Sequence, residues 1–349
     1  MIYNQTGNND KAIAAYKKII TTYPQSEEAQ IAAQDLKSIY VDLGKVDDFA
    51  EFAAKTPGMK AMQSSERDTL TYVAAEKFYG RGETEQAKSA FQKYLKSYPD
   101  GSFTLDSHYY LGVIFYNQQA PADAQLHLGK VIAYPDNKYS EEAMALSSEL
   151  HYKAGNHREA MNLYKQLIAK TSDNERRQAC RINLMRCAYT LKEYPEVLNT
   201  AGELLATGNL SPDRAREVHY TRAKALILSN KANDAVADLK KLSTDTRTQQ
   251  GAEAKYLLAQ IYFDNKQNDN CEKEILDYIE MGTPHSYWLA RSFVLLSDLY
   301  TSLDRKMEAK QYLLTLKNNY TADDDIAGRI KERLDKLAAE ENNTATQQQ

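Results

Sequence analysis

Glu83 to Pro99 reads ETEQAKSAFQKYLKSYP, and its spacing decides the fold. A small residue, Ala87, is followed four later by the aromatic Phe91, then by the apolar pair Tyr94 and Leu95, and proline closes the stretch. The same order appears in NNDKAIAAYKKIITTYP (8–24), APADAQLHLGKVIAYP (120–135) and NHREAMNLYKQLIAK (156–170). The small place recurs at Ala12, Ala87, Ala124, Ala160, Val197, Ala235, Cys271 and Ala309, with Phe49 filling the one remaining place. Successive gaps are 37, 38, 37, 36, 37, 38, 36 and 38 residues. Ahead of each lies a second helical stretch, as in SHYYLGVIFYNQQ (107–119) and AKYLLAQIYFDNK (254–266), with a polar or glycine turn between the two. Each unit is therefore a helical hairpin, helix A followed by helix B.

The 349 residues, 42% hydrophobic and 26% charged, are enough for two or three compact domains or one long repeat array. With 44 Lys and Arg against 48 Asp and Glu, the net charge of −4 provides no basic field for nucleic acid. No run approaches the length of an apolar membrane span. Three cysteines form no disulfide framework. Cys180 and Cys187 share a helical face but stand about 10 Å apart, too far to bond, so all three read as small buried hydrophobes.

On these residues the chain resembles the tetratricopeptide repeat family. Leu111, Gly112 and Phe115 take the leucine, glycine and aromatic places of helix A in that pattern, and Ala87, Phe91 and Pro99 take the helix B places. The resemblance implies an all-α fold, a right-handed superhelical solenoid of about nine helix-turn-helix repeats over residues 1–322, the first truncated. Phe49 where a small residue belongs, and Pro57-Gly58 after it, predict an irregular second repeat. A period near 37 calls for an added turn in helix A, with serine N-caps expected at Ser26, Ser140 and Ser211.

At the end, Ile326, Ile330, Leu334 and Leu337 lie on one stripe and predict a capping helix over 323–340, and the polar 341–349 is expected to be disordered. At the start, Met1 to Gly7 is too short for a helix A, which reads either as a chain beginning inside a repeat of a longer protein or as a first hairpin incomplete by nature. An open edge there, with Ile13 and Ile20 exposed, would invite self-association.

No phosphate-cradling glycine loop, GxSxG, HExxH or CxxC is present. No two of the six histidines share a helical spacing of three or four, so no metal or cofactor is expected. Tyrosine is the outlying residue type, with 25 copies against 8 phenylalanines. The residue after the helix A core aromatic is Tyr79, Tyr116, Tyr152, Tyr189 or Phe263, and seven earlier on that flank stand Tyr72, Tyr109, Tyr220 and Tyr256. Between them fall Glu76, Glu149, Arg186, Lys224 and Gln260. By resemblance this flank lines the groove in which tetratricopeptide arrays hold partner peptides. Two readings stay open: a stripe that packs adjacent helices A, and a binding surface, since tyrosine offers large contact area at low entropy cost. The mixed charges argue against a basic carboxylate clamp, leaving Arg186 and Lys224 as isolated candidates. The function expected is a non-enzymatic scaffold for another protein or peptide segment, with polysaccharide or peptidoglycan binding as the alternative. The lengthened repeats also resemble bacterial cell-envelope repeat proteins, which implies an envelope or periplasmic location, against a cytoplasmic one.

Overall fold

The structure, a computed structural model, describes residues 9–347, with side chains described to residue 340. It is all-α: eighteen α-helices and one short 3-10 helix, with no strand among the described residues. They fall into two compact units, Met1–Thr171 and Ser172–Gln349. Unit 1 contains α1 (Asn9–Thr22), α2 (Glu27–Asp42), α3 (Val46–Lys55), α4 (Ser64–Gly80), α5 (Thr84–Ser97), α6 (Thr104–Asn117), α7 (Pro121–Ile132), α8 (Ser140–Lys153) and α9 (His157–Lys170). Unit 2 contains α10 (Asn174–Thr190), α11 (Tyr194–Ala206), α12 (Pro212–Leu228), a 3-10 turn (Ala232–Ala235) running into α13 (Val236–Leu242), α14 (Gln249–Asp264), α15 (Asn268–Met281), α16 (Ser286–Ser302), α17 (Lys306–Asn319) and α18 (Ile326–Gln347). Even-numbered helices from α2 to α16 are the A helices, and odd-numbered ones are the B helices. The helix A expected for the first repeat, at Met1 to Gly7, lies outside the described residues.

Every small place is buried where two helices cross: Ala87, Ala124, Ala160, Val197, Ala235, Cys271 and Ala309 are fully covered. Small side chains let the axes approach, and the larger Leu111, Phe91 and Leu128 then fill the gap from both sides. Phe49 occupies the same place in the second hairpin, packed on Tyr40 with ring centroids 6.1 Å apart, and its helix α3 stops after ten residues at Lys55. Burial pushes the Cys180 and Cys187 thiols up to about 11, so they behave as apolar filling.

Each hairpin turn closes with one residue of positive φ: Gly44, Gly82, Gln119, Gly155, Lys192, Asn230, Lys266 and Asp304. After Gly82, the Glu83 N–H reaches back to the Phe78 carbonyl at 2.9 Å, while Gly82 itself donates to Tyr79. This left-handed cap satisfies carbonyls that the end of helix A would otherwise leave open.

Several expectations need correction. Ser26 caps α2 through Ala29 N–H, and Ser211 caps α12 with Pro212 in first place, but Ser140 is no cap. Tyr139 precedes the helix, Asn137 accepts the Tyr139 N–H, and the buried Ser140 hydroxyl donates to the Asn137 carbonyl. The added length sits in helix A for most repeats, at 16 or 17 residues, yet α6 and α8 have 14 and carry the excess in the connection before them. Ile20 is buried and Ile13 packs against the same core cluster, so neither is an exposed edge. The last helix begins at Ile326, with Asp324 accepting its N–H, and its backbone stays helical through 341–347 rather than losing structure there. Ile326, Ile330 and Leu337 are buried against α16 and α17, with Leu334 beside them.

Candidate interaction surface

The A helices place the tyrosines as their spacing required, but ring contacts between successive repeats decide what each one does. In unit 1, Tyr72 of α4 is buried, stacked on Phe103 at 4.3 Å and 5°. One repeat later, Tyr109 of α6 stacks on Tyr139 at 4.0 Å and 12°. Phe103 and Tyr139 both stand immediately ahead of a helix A, each four residues after a proline (Pro99, Pro135). Tyr79 leans on Tyr110 at 4.8 Å, and Tyr110 in turn stacks on Phe91 at 5.1 Å. Tyr152 meets His157 edge-on at 5.5 Å, and Tyr116 is half-buried beside Glu149.

Carboxylates knit these rings together. Tyr72 donates to Glu76 at 3.1 Å, Tyr110 to the same oxygen at 3.3 Å, and Tyr139 to Asp106 at 2.7 Å. Burial, then Tyr139 and Glu76, push the Tyr110 phenol up to about 12. Lys138 bonds Asp106 at 2.8 Å and lies 4.6 Å over the Tyr139 ring. Glu149 takes Lys153 at 2.5 Å, and this hydrogen bond holds its carboxyl below the usual range.

Unit 2 differs. The Tyr220 hydroxyl and the Lys224 ammonium both bond the buried Glu253 at 2.6 Å. Arg186 grips Glu217 through two nitrogens at 2.5 and 2.7 Å. Each cation is thus paired with a carboxylate of the next repeat. Tyr256 is buried, packs on Trp288 at 5.7 Å, bonds Gln260 at 3.0 Å and accepts from Arg291 at 2.6 Å. Gln260 passes the chain on to Asp264, Phe263 packs against the core cluster of the last repeats, and Tyr189 leans on Tyr194. Below this surface the buried Asp238 accepts from His219 and Arg222. Burial raises its pKa, but the bonds from His219 and Arg222 outweigh that and leave it lowered.

Thus Tyr72 and Tyr256 are core residues, while Tyr79, Tyr109, Tyr116, Tyr152, Tyr189 and Tyr220 keep one side wet. Sequence reading missed Tyr110, Tyr139 and Phe103. The recurrent Tyr-Pro-Asp-x-x-aromatic pattern at 98–103 and 134–139 is the signal that would have found the last two. No group of three or more metal-ligating side chains occurs among the described residues. A polar cleft of about 1000 Å³, lined by Asp173, Arg177, Arg181 and Arg214 among others, includes none of these tyrosines.

Residues 72–137 and residues 1–26 each match the sequence pattern of the tetratricopeptide repeat. No curated protein matches the chain. Among solved structures, it is similar to a tetratricopeptide repeat protein from Parabacteroides merdae, at 15% identity and a TM-score of 0.38, covering 78% of this chain and 100% of that one. It is also similar to the TPR domain of P58(IPK), at 14% identity and 0.31, covering 97% and 96%. A third is the human IFIT1 dimer with m7Gppp-AAAA, at 14% identity and 0.40, covering 98% and 80%. With eight helical hairpins in one register, small residues at seven of their crossings and these matches to the repeat pattern, the chain carries tetratricopeptide repeats.

Proposed function

We propose that this protein is a non-enzymatic scaffold that holds a segment of another protein along the helix A face of its repeats. Tetratricopeptide-like folds are generally protein–protein interaction scaffolds, and the family is generally non-catalytic. The observation that carries the finer reading is the set of half-buried tyrosines at one place in successive A helices of unit 1, Tyr79, Tyr116 and Tyr152, with Tyr189 at the equivalent place within unit 2. Each is fixed by a neighbour on one side and wet on the other, so a partner gains contact area without having to order a loose side chain.

Stacking on glycans has less support. Sugar rings need free aromatic faces, and Phe103 and Tyr139 each cover one face, of Tyr72 and Tyr109 respectively.

The test is affinity capture from a lysate of the source organism, with the intact chain beside a Tyr116→Ser, Tyr152→Ser, Tyr189→Ser triple variant of equal helix content. A protein lost only from the variant supports the assignment. Equal captures overturn it and assign these tyrosines to packing, and retention on peptidoglycan would favour the glycan reading instead.

A further inference from the structure

A polar rung joins successive A helices at two places in unit 2, and the equivalent places of unit 1 carry different chemistry. In unit 2 the rung is a cation from one repeat on a carboxylate from the next: Arg186 on Glu217, then Lys224 on Glu253. In the register of the repeat, the cation place is held by Glu76, Val113, Glu149, Arg186, Lys224 and Gln260. The carboxylate place one repeat on is held by Asp106, Glu142, Ala179, Glu217 and Glu253. Between α4 and α6 the rung therefore sets one carboxylate, Glu76, toward another, Asp106.

The surroundings agree with that placement. Both carboxylates act on the Tyr72 and Tyr139 hydroxyls and on the Lys138 ammonium. Glu76 is exposed, receives two tyrosine hydroxyls, and bonds no lysine or arginine among the described residues. Glu142 acts on Tyr109 and Tyr116, and Glu149 on Tyr116 and Lys153, so carboxylates recur along this face of unit 1 beside its tyrosines. Lys138 shows how a cation is received here, with its ammonium on a carboxylate and over a tyrosine ring. Arg291 over Tyr256 at 4.7 Å and Arg305 over Tyr300 at 3.9 Å, the latter bonded to Glu272, repeat that arrangement in unit 2 with the chain's own cations.

We infer that unit 1 takes a basic partner segment, one of whose lysine or arginine side chains completes the rung at Glu76 beside the rings of Tyr79 and Tyr110. This rests on the helix A face being the binding surface, and adds the charge of what binds there. A guanidinium or ammonium would relieve the facing carboxylates, form charge-assisted hydrogen bonds and lie against tyrosine rings. An acidic segment would meet like charge and be repelled.

The test uses the full chain and two labelled flexible peptides, one of arginine alternating with glycine and serine, the other with glutamate in place of arginine. Only the arginine peptide should bind, more weakly as salt rises. Glu76→Lys builds in unit 1 the rung that unit 2 already has. It should leave the melting temperature unchanged or higher while weakening the arginine peptide about tenfold or more. Glu76→Gln should weaken it by a smaller factor. Equal binding of the two peptides, no binding of the arginine peptide, or full binding by Glu76→Lys overturns the inference. If it falls while a captured partner is still lost from the triple serine variant, the helix A reading stands without it; if that loss is absent too, the reading itself has failed.

Discussion

The Nδ1 atoms of His108 and His127 lie 2.8 Å apart across the hairpin of α6 and α7. One ring must donate and the other accept, so the two cannot both be protonated while this bond holds. Burial, then His127 and Lys130, lower His108 to about 4; burial also lowers His127 against the pull of Asp123. The unfolded chain therefore binds more protons than the folded one between the ordinary value of 6.5 and about 4. The stability this pair contributes is complete above that window and is lost as pH falls through it.

Thermal melts between pH 7.5 and 4 should accordingly show a falling melting temperature, with a shallower fall in His108→Gln. A kcal/mol moves the melting temperature of a unit this size by about 2–4 °C, so the difference is readable. Parallel pH profiles would remove the pair as the cause.

The tyrosines should divide into two classes by stability. Tyr72→Ala removes a buried ring stacked on Phe103 and should cost about 3–5 kcal/mol in denaturant unfolding. Tyr152→Ala removes a half-buried ring held edge-on by His157 and should cost only about 1 kcal/mol. Similar costs at both places would mean that Tyr152 is as structural as Tyr72.

The repeat was legible because a helix crossing constrains side-chain volume once per period, and the chain states that volume at Ala87, Ala124, Ala160 and their equivalents. The flank carrying the tyrosines was legible for the same reason, since helical phase follows from the core positions. What could not be read was pairing. Tyr110 with Glu76, Tyr139 with Asp106 and Arg186 with Glu217 join residues 31 to 34 apart, and depend on how one hairpin is rotated against the next. The histidine pair escaped because a search at spacings of three and four sees one helix only, and these two face each other from different helices. Helix B of the seventh repeat ends early at Leu242, where the Ser243 and Thr244 hydroxyls bond back to Lys240 and Lys241, a local competition that periodicity does not register.

Gly112 tests the crossing itself. A Cβ there would lie 2.7 Å from Leu128 Cδ2, 2.9 Å from its Cγ and 3.3 Å from its backbone nitrogen. Overpacking of this kind costs about 1–3 kcal/mol, whereas alanine gains up to about 1 kcal/mol in helix propensity. Gly112→Ala should therefore destabilise unit 1 by about 1 kcal/mol or more. Gly129→Ala, on the partner helix with nothing within 4 Å of its Cβ, should stabilise it instead. The two opposite signs in one denaturant series are the check, and a stabilising Gly112→Ala would show that the helices can move apart freely.

The hairpin turns offer stability in the other direction. Eight turns place one residue each at φ between 54° and 77°, and only Gly44, Gly82 and Gly155 are glycines. A residue with a Cβ pays about 1–2 kcal/mol for that conformation, while glycine returns roughly 0.5–1 kcal/mol of it through the freer unfolded chain. Gln119→Gly, Lys192→Gly and Lys266→Gly should each stabilise by a net of about 0.5 kcal/mol, and the gains should add because the turns lie in different hairpins. Gly82→Ala, with open space around its Cβ, isolates the backbone cost and should lose about 1 kcal/mol. If the three glycine variants melt below the parent while Gly82→Ala melts with it, left-handed strain is not what limits these turns. Side-chain contacts of Gln119, Lys192 and Lys266 would then be what holds them.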